Sequence, residues 1–230
     1  MLKKAIKSIL TKRYAISIEQ VVPTIEQSNC KMVSFDVFDT LIKRNVPAPK
    51  DVFLLLEKQY QRQFGHYMPI YDLRNRAEAR ACENMKRKTV TLPEIYQAIE
   101  EIDEVEREWL MEEEIRIERT LCQRCQPIGK VYDWCISHHI PVILVSDMYL
   151  SHETIEGLLH KAGYSGWKRL YISAEEQANK ADGTLFDVVL HEEQLNPGEL
   201  LHIGDSLRGD YLKPREKGIE AVLIAPHNER

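Results

Sequence analysis

Five short apolar segments, each flanked by polar turns, constrain the fold of this chain more than any other feature of its sequence. They are Met32 to Phe38, Ile140 to Val145, Arg169 to Ser173, Leu200 to Ile203 and Ala221 to Ile224. Continuous apolar runs of this length are typical of strands buried on both faces of a parallel sheet. Helical patterns separate the last four, most clearly at Ser151 to Ala162 and Gly183 to Gln194. Strands that alternate with helices predict an α/β fold.

A long helical stretch interrupts this alternation after the first predicted strand. From Pro49 to about His139 the patterning is only helical, with predicted helices at Asp51 to Phe64, Tyr71 to Lys88, Thr91 to Glu101, Glu104 to Gln123 and Gly129 to Ser137. This is too much chain for one crossover connection, so we expect a separate subdomain. We predict a three-layer, Rossmann-like parallel-sheet core, formed by residues 1–45 and 126–230 with an N-terminal helix at 1–13. Residues 46–125 would form an inserted, all-helical cap.

The composition favours a cytoplasmic protein. The net charge of −5 at pH 7 argues against a general nucleic-acid-binding protein, which needs a basic surface. No apolar run approaches the ~20 residues needed to span a bilayer, so we expect no membrane span. Five cysteines cannot all pair with one another, which favours a reducing compartment. The amphipathic pattern of residues 1–13 fits a helix docked on its own chain or one on a membrane surface.

Polar side chains follow four of the predicted strands. They are Asp36 near the end of the first and Asp39 just after it, Ser146 and Asp147 after the second, Lys180 after the third, and Asp205 with Asp210 after the fourth. Ligands bind beyond the carboxyl ends of the strands in open parallel sheets, so we expect these side chains to meet. Crowded carboxylates repel one another unless a cation neutralises them, and carboxylate oxygens without nearby His or Cys suit Mg²⁺. The pattern therefore predicts a Mg²⁺ site with open positions for a phosphate oxygen.

This arrangement resembles the haloacid dehalogenase (HAD) superfamily of aspartate-nucleophile hydrolases. The four motifs of that family match in order: Asp36 to Leu41, Ser146, Lys180, and Gly204-Asp205 with Asp210. The helical insert is similar in position to the helical cap of the first type in that family. The resemblance covers residues 31–224. It implies a Mg²⁺-dependent phosphohydrolase or phosphotransferase that acts through an aspartyl-phosphate on a small phosphorylated metabolite.

The resemblance also implies a role for each residue of the catalytic and metal-binding set. Asp36 would be the nucleophile and a metal ligand, and Asp205 with the backbone carbonyl of Phe38 would be further ligands. Asp210 would bind the metal through water or orient Lys180. Lys180 would bridge Asp36 and the phosphate, offsetting negative charge in the transition state.

A second set of residues is expected to contact the substrate. By the same resemblance, Ser146 and the backbone N–H of Asp147 would hold the phosphoryl group. Asp39 and Thr40, within the first motif, are further candidates for substrate binding. Arg44 follows this motif, where it either pairs with an anion at the mouth of the site or is a surface charge. Three arginines at helical spacing either face the substrate or lie on a solvated face: Arg74, Arg76 and Arg80.

Phe38 departs from the family pattern, which usually has a second aspartate at that position as general acid and base. Such a group typically contributes ~10²–10⁴-fold to the rate. Asp39, in place of the usual glycine, is either a displaced acid or a residue that caps the turn. With Phe38, the first motif resembles that of a bacterial subgroup, Asp-x-Phe-Asp-Thr, often found beside or fused to polysaccharide-building enzymes. This makes a sugar phosphate a substrate worth testing.

Two other functions stay open because of Phe38. The position is also aromatic in the dehalogenases of the family, so the chain could be a dehalogenase-like hydrolase that uses Asp36. It could also be a catalytically weakened domain that binds a phosphorylated ligand or a partner. The acidic residue Asp205 favours the phosphohydrolase, because a second carboxylate beside Asp36 is costly without a cation.

Overall fold

The computed structural model describes residue 11 and residues 13–225, so the helix predicted at 1–13 lies almost entirely outside the described residues. The described chain has seven strands: β1 (Met32–Phe35), β2 (Ile42–Arg44), β3 (Cys122–Arg124), β4 (Val142–Ser146), β5 (Arg169–Ile172), β6 (Leu200–Gly204) and β7 (Glu220–Leu223). Five of them form a parallel sheet in the order β5-β4-β1-β6-β7. The predicted α/β, Rossmann-like fold is therefore confirmed.

Ten α-helices are assigned within the described residues. They are α1 (Ile18–Gln27), α2 (Val52–Phe64), α3 (Ile70–Met85), α4 (Leu92–Gln97), α5 (Glu104–Leu121), α6 (Gln126–Ser137), α7 (His152–Lys161), α8 (Ser173–Glu176), α9 (Thr184–Glu193) and α10 (Lys213–Glu216). None of these helices is both long and apolar enough to cross a bilayer.

The parallel sheet is buried on both faces because successive strand residues point to opposite sides. In β4, Val142 and Leu144 belong to one hydrophobic cluster, whereas Ile143 and Val145 belong to the other. The first cluster includes side chains of α6 and α7, and the second includes side chains of α9. This gives the three layers that the apolar strand segments predict.

Helices α2 to α5 lie between two strands that pair with each other outside the main sheet. Strands β2 and β3 form an antiparallel ribbon in which Ile42 is opposite Arg124 and Arg44 is opposite Cys122. The chain therefore leaves the core and returns to it at adjacent points. We use the word cap only as a positional name for helices α2–α5.

Three sequence predictions are wrong in detail. The helix predicted from Glu104 to Gln123 ends at Leu121, because Cys122–Arg124 pairs with β2 instead, so the stretch after Pro49 is not purely helical. The helix predicted from Thr91 to Glu101 spans only Leu92–Gln97. The first strand ends at Phe35 rather than Phe38, because the chain turns sharply there.

Candidate active site

The carboxyl ends of the central strands bring the predicted site residues to one edge of the sheet. Asp36 directly follows β1, and its backbone N–H donates to the carbonyl of Ile203 in β6 at 2.9 Å. Ser146 is the last residue of β4, and Asp205 directly follows β6. Strands β4 and β6 both pair with β1, so these three residues start from neighbouring strands.

Three carboxylates meet at this edge. One oxygen from each of Asp36, Asp205 and Asp210 lies within 4.8 Å of the others. Burial raises the pKa of Asp36 to about 7, although Lys180 lowers it and Asp210 raises it further. Burial, followed by the charges of Asp36 and Asp210, raises the pKa of Asp205 well above its usual range. A cation would relieve this repulsion, and a donor set of carboxylate oxygens alone fits Mg²⁺.

Among the described residues, Lys180 brings a positive charge into this cluster of carboxylates. Its Nζ lies 2.5 Å from Asp36 Oδ1 and 2.6 Å from Asp210 Oδ1. Burial alone would lower the pKa of Lys180, but Asp210 and Asp36 raise it above its usual range, so the side chain stays charged. The backbone N–H of Lys180 donates to Asp147 Oδ1 at 2.8 Å, which fixes the Lys180 loop against the end of β4.

Both oxygens of Asp210 already have hydrogen-bond donors. Oδ1 accepts from Lys180 and from His202 Nε2 at 3.1 Å, and Oδ2 accepts from the backbone N–H of Ser206 at 2.8 Å. Burial alone would raise the pKa of Asp210, but Lys180 and His202 lower it below its usual range. A Cβ on Gly204 would lie 2.5 Å from Asp210 Cγ, so only glycine fits there. This geometry suits a residue that orients Lys180.

His202 extends this network into the interior of the sheet. Burial lowers its pKa, which keeps the ring neutral. Because Asp210 only accepts, Nε2 carries the proton, and Nδ1 accepts from the Ser34 hydroxyl at 2.8 Å. Both ring nitrogens of His202 therefore have hydrogen-bond partners, which is the geometry of a structural histidine.

Replacing His202 with leucine is expected to lower the free energy of unfolding by about 1–3 kcal/mol. The substitution leaves the buried Ser34 hydroxyl without its acceptor and removes one donor to Asp210. Urea unfolding measures the change, and His191→Leu, on an exposed side chain, is the matched control. Equal stability of the two variants would contradict the structural role of His202.

The turn after Asp36 contains the other residues of the first motif. Asp39 has a φ of 62°, in the left-handed region that aspartate tolerates better than most residues, and its N–H donates to the Ile42 carbonyl at 2.7 Å. Its charge also raises the pKa of Asp205, so its side chain is near the cluster. The Thr40 side chain is buried beside the Asp36 carboxyl group, and its hydroxyl lowers the pKa of Asp36.

Arg44 lies beside Phe38 rather than free at the mouth of the site. Its guanidinium sits 4.5 Å from the centre of the Phe38 ring. Its Nε also donates to both oxygens of Glu118 in α5 at 2.8 Å, and both side chains are buried. Arg44 therefore links the first motif to the cap.

A cavity of about 520 Å³ opens between the cap and the loops at the edge of the sheet. Residues of both parts line it, including Glu78 and Lys88 from the cap and Asp147, Asn179, Asp182 and Arg208 from the core. Lys88 Nζ lies 2.6 Å from Asp182 Oδ2, which closes one side of the cavity. Lys88 and Asp182 could not be predicted as lining residues from the sequence, because a surface lysine and a loop aspartate carry no local signal of pairing.

Comparison with solved structures identifies similar folds. A protein assigned as a β-phosphoglucomutase from Thermotoga maritima is 17% identical, with a TM-score of 0.58 over 83% of this chain and 83% of that chain. A 2-haloacid dehalogenase from Pseudomonas syringae pv. Tomato is 15% identical, with a TM-score of 0.58 over 83% and 84%. A magnesium-bound protein from Bacillus subtilis, assigned as a HAD hydrolase, is 16% identical, with a TM-score of 0.55 over 82% and 85%.

These similarities show that the chain has the fold of the HAD-like hydrolases. No protein-family model and no curated protein sequence matches the chain.

Proposed function

We propose that this chain is a Mg²⁺-dependent phosphohydrolase or phosphotransferase of the HAD type, acting on a small phosphorylated metabolite. One observation carries the proposal: Asp36, Asp205 and Asp210 converge within 4.8 Å, and Lys180 contacts Asp36 at 2.5 Å. Carboxylates this close need a cation, and the pair of a cation and a lysine suits a phosphoryl group with several negative oxygens.

Each residue of the site has a role in this proposal. The Asp36 carboxylate attacks phosphorus, the bond from phosphorus to the leaving oxygen breaks, and an aspartyl-phosphate forms; water then releases inorganic phosphate. Lys180 holds Asp36 Oδ1 in place and offsets charge on the phosphoryl oxygens. The Ser146 hydroxyl and the N–H of Asp147 would bind those oxygens. Bound Mg²⁺, held by Asp36, Asp205 and the Phe38 carbonyl, would neutralise the phosphate and the carboxylates.

The aromatic side chain at position 38 limits the substrates that this site can process well. Phe38 cannot protonate a leaving alkoxide, so the proposal favours substrates with a good leaving group, such as acyl phosphates or sugar 1-phosphates. Asp39 is the nearest alternative acid in the motif, and its place in the turn fits a capping role equally well.

The test is release of phosphate from acetyl phosphate by the full chain. We expect turnover with Mg²⁺ and its loss when a chelator removes the ion. No Mg²⁺-dependent release from acetyl phosphate or from a panel of other activated phosphates would overturn the proposal and favour a domain that only binds its ligand.

A dehalogenase-like hydrolase is the second candidate, favoured by the aromatic Phe38 and by the similarity of fold to a 2-haloacid dehalogenase. In that reaction Asp36 would displace a halide from carbon. Halide release from 2-haloacids in the presence of a chelator tests it. Release that is independent of Mg²⁺ would support this candidate over the phosphohydrolase.

The division of the chain into two parts belongs to the same proposal. We propose that residues 46–125 act as a cap that opens and closes on the core formed by 1–45 and 126–230. The β2–β3 ribbon would be the hinge of such a motion, and interdomain movement is described for the magnesium-bound Bacillus subtilis protein.

We also propose a cytoplasmic location, because an odd number of cysteines favours a reducing compartment.

Mg²⁺ is expected to stabilise the protein more at pH 8 than at pH 5. The folded-state pKa of Asp36 is raised to about 7, so the metal-free protein loses stability as pH rises from about 4 towards 7. Mg²⁺ binds the ionised carboxylates, so its stabilising effect grows across the same range. Thermal unfolding with and without Mg²⁺ measures the shift, and Asp205→Asn is expected to abolish it. An equal shift at both pH values would contradict the assigned site.

A further inference from the structure

A second cavity, of about 210 Å³, lies between the cap and the core next to the mouth of the site. Arg44, Phe53, Arg74, Asn75, Met148 and Tyr149 are among the residues that line it. Glu78, Met148 and Tyr149 also line the larger cavity beside Asp147, so the two spaces share a wall. A substrate whose phosphoryl group reaches the end of β4 would extend its leaving group in this direction.

Arg74 contributes an unpaired donor to this second cavity. The side chain is fully buried, and its Nε and Nη2 donate to the two oxygens of Glu114 at 2.7 and 2.9 Å. The rings of Phe53 and Tyr149 lie 4.7 and 4.6 Å from the guanidinium carbon. Within the described part of the chain, Nη1 has no hydrogen-bond partner. A buried donor without a partner is costly, which points to a ligand group that fills the place.

Asn75 contributes an unpaired acceptor beside it. Its Nδ2 donates to the carbonyl of Tyr71 at 2.7 Å, and this contact fixes which way the amide points. Its Oδ1 is buried and lacks a donor among the residues that the structure describes. Two adjacent residues of the cavity lining therefore carry one donor and one acceptor that the described chain itself does not satisfy.

The charges around this cavity are balanced. Arg74 is paired with Glu114, Arg44 is paired with Glu118, and Lys50 and Glu78 add one charge of each sign to the lining. An anionic group would therefore find no net positive charge to compensate the cost of leaving water. A neutral group that both donates and accepts hydrogen bonds matches the unpaired Nη1 and Oδ1. A hydroxyl does both.

We propose that this cavity binds a neutral, polyhydroxylated leaving group of the substrate, with Arg74 donating to one hydroxyl and Asn75 accepting from another. The inference rests on the proposed function, because the phosphoryl group is what anchors the substrate beside Asp147. The cavity has the volume of about seven water molecules at ~30 Å³ each, enough for a small ring.

The test compares two phosphate esters of the same ring size, myo-inositol 1-phosphate and cyclohexyl phosphate. Calorimetric titration into the full chain carrying Asp36→Asn, with Mg²⁺ present, gives dissociation constants without turnover. We expect the inositol ester to bind about tenfold more tightly, because only its hydroxyls reach the unpaired atoms.

Two variants and one control test whether Arg74 and Asn75 cause the tighter binding of the inositol ester. Arg74→Lys keeps a positive charge beside Glu114 but lacks Nη1, and Asn75→Ala removes the acceptor. Each is expected to reduce the preference by about threefold to tenfold. Arg62→Lys, on an exposed side chain of α2 in the cap, is the control and is expected to keep it. Thermal unfolding verifies that each variant is folded, and Asn75→Ala, which breaks no ion pair, serves if Arg74→Lys unfolds.

Equal affinities for the two esters, or a preference that survives both variants, would overturn the inference. Acetyl phosphate turnover by the native chain reports separately on the proposed function. Turnover without a preference for the inositol ester overturns the polyol cavity alone, whereas a preference without turnover overturns the hydrolase alone.

Discussion

Replacing Asp36 with asparagine is expected to lower Mg²⁺-dependent turnover of acetyl phosphate by about 10⁴-fold or more. The amide cannot attack phosphorus, so the covalent route is lost and only positioning by the remaining groups is left. The substitution also removes the negative charge from the ion pair that Asp36 Oδ1 and Lys180 Nζ form at 2.5 Å. Steady-state phosphate release measures the loss. Rapid acid quenching with labelled substrate is expected to trap a phosphorylated protein from the native chain and none from the variant.

The matched control for this experiment is Asp187→Asn. Asp187 is a largely exposed aspartate in α9, seven residues after Lys180, and its carboxylate pairs with Lys217. Its substitution changes the same functional group and the same net charge, and it is expected to leave turnover within twofold. Equal rates for the native chain and the Asp36 variant would show that any phosphate release comes from elsewhere, and the assigned nucleophile would be wrong.

Replacing Phe38 with aspartate is expected to raise turnover of phosphate esters that have poor leaving groups, such as cyclohexyl phosphate, by about 10²-fold. The new carboxyl group would stand two residues after the nucleophile, where it could protonate the leaving alkoxide and then activate water; general acid–base catalysis typically contributes ~10²–10⁴-fold. Arg44, which now contacts the Phe38 ring, stays held by both oxygens of Glu118. The ratio of the rates for cyclohexyl phosphate and acetyl phosphate measures the gain.

Phe38→Asn separates proton transfer from the simple removal of an aromatic ring. Asparagine has nearly the same size and shape as aspartate but cannot transfer a proton in this way. We expect no rise in the rate ratio for this variant. A similar rise for both substitutions would assign the effect to space rather than acid catalysis, and no rise for either would show that Phe38 is not what limits the native site.

The sequence predicts those residues of the site that directly follow the strands of the parallel sheet. The apolar segments identify the central strands to within about two residues at most ends, and parallel strands must deliver the residues that follow them to one edge. This is why Asp36, Asp205 and Asp210 could be expected to converge although Asp36 is far from the other two along the chain. The prediction needed only topology.

Side-chain pairing across the cap was not predictable in the same way. Glu114 and Glu118 belong to an acidic run that has the pattern of a solvated helix, yet they are buried against Arg74 and Arg44, 40 and 74 residues away. Both separations along the chain are far longer than the three or four residues that bring side chains together on one helix, so no local sequence pattern indicates these contacts. Strand β3 was not predicted for a related reason. Three residues are too few to show the alternation of apolar and polar side chains that marks a strand, and pairing with β2 determines their conformation.

The position of β1 at the centre of the sheet has a consequence for biosynthesis. Its Val33 pairs with Val142 and its Met32 with Leu200, so neither neighbour exists when β1 leaves the ribosome. A nascent chain that ends before Val142 would hold an apolar segment with two open hydrogen-bonding edges, which favours association with other chains. Sheet assembly must wait for late translation, so truncated products ending before β6 are expected to need chaperone protection or to be degraded.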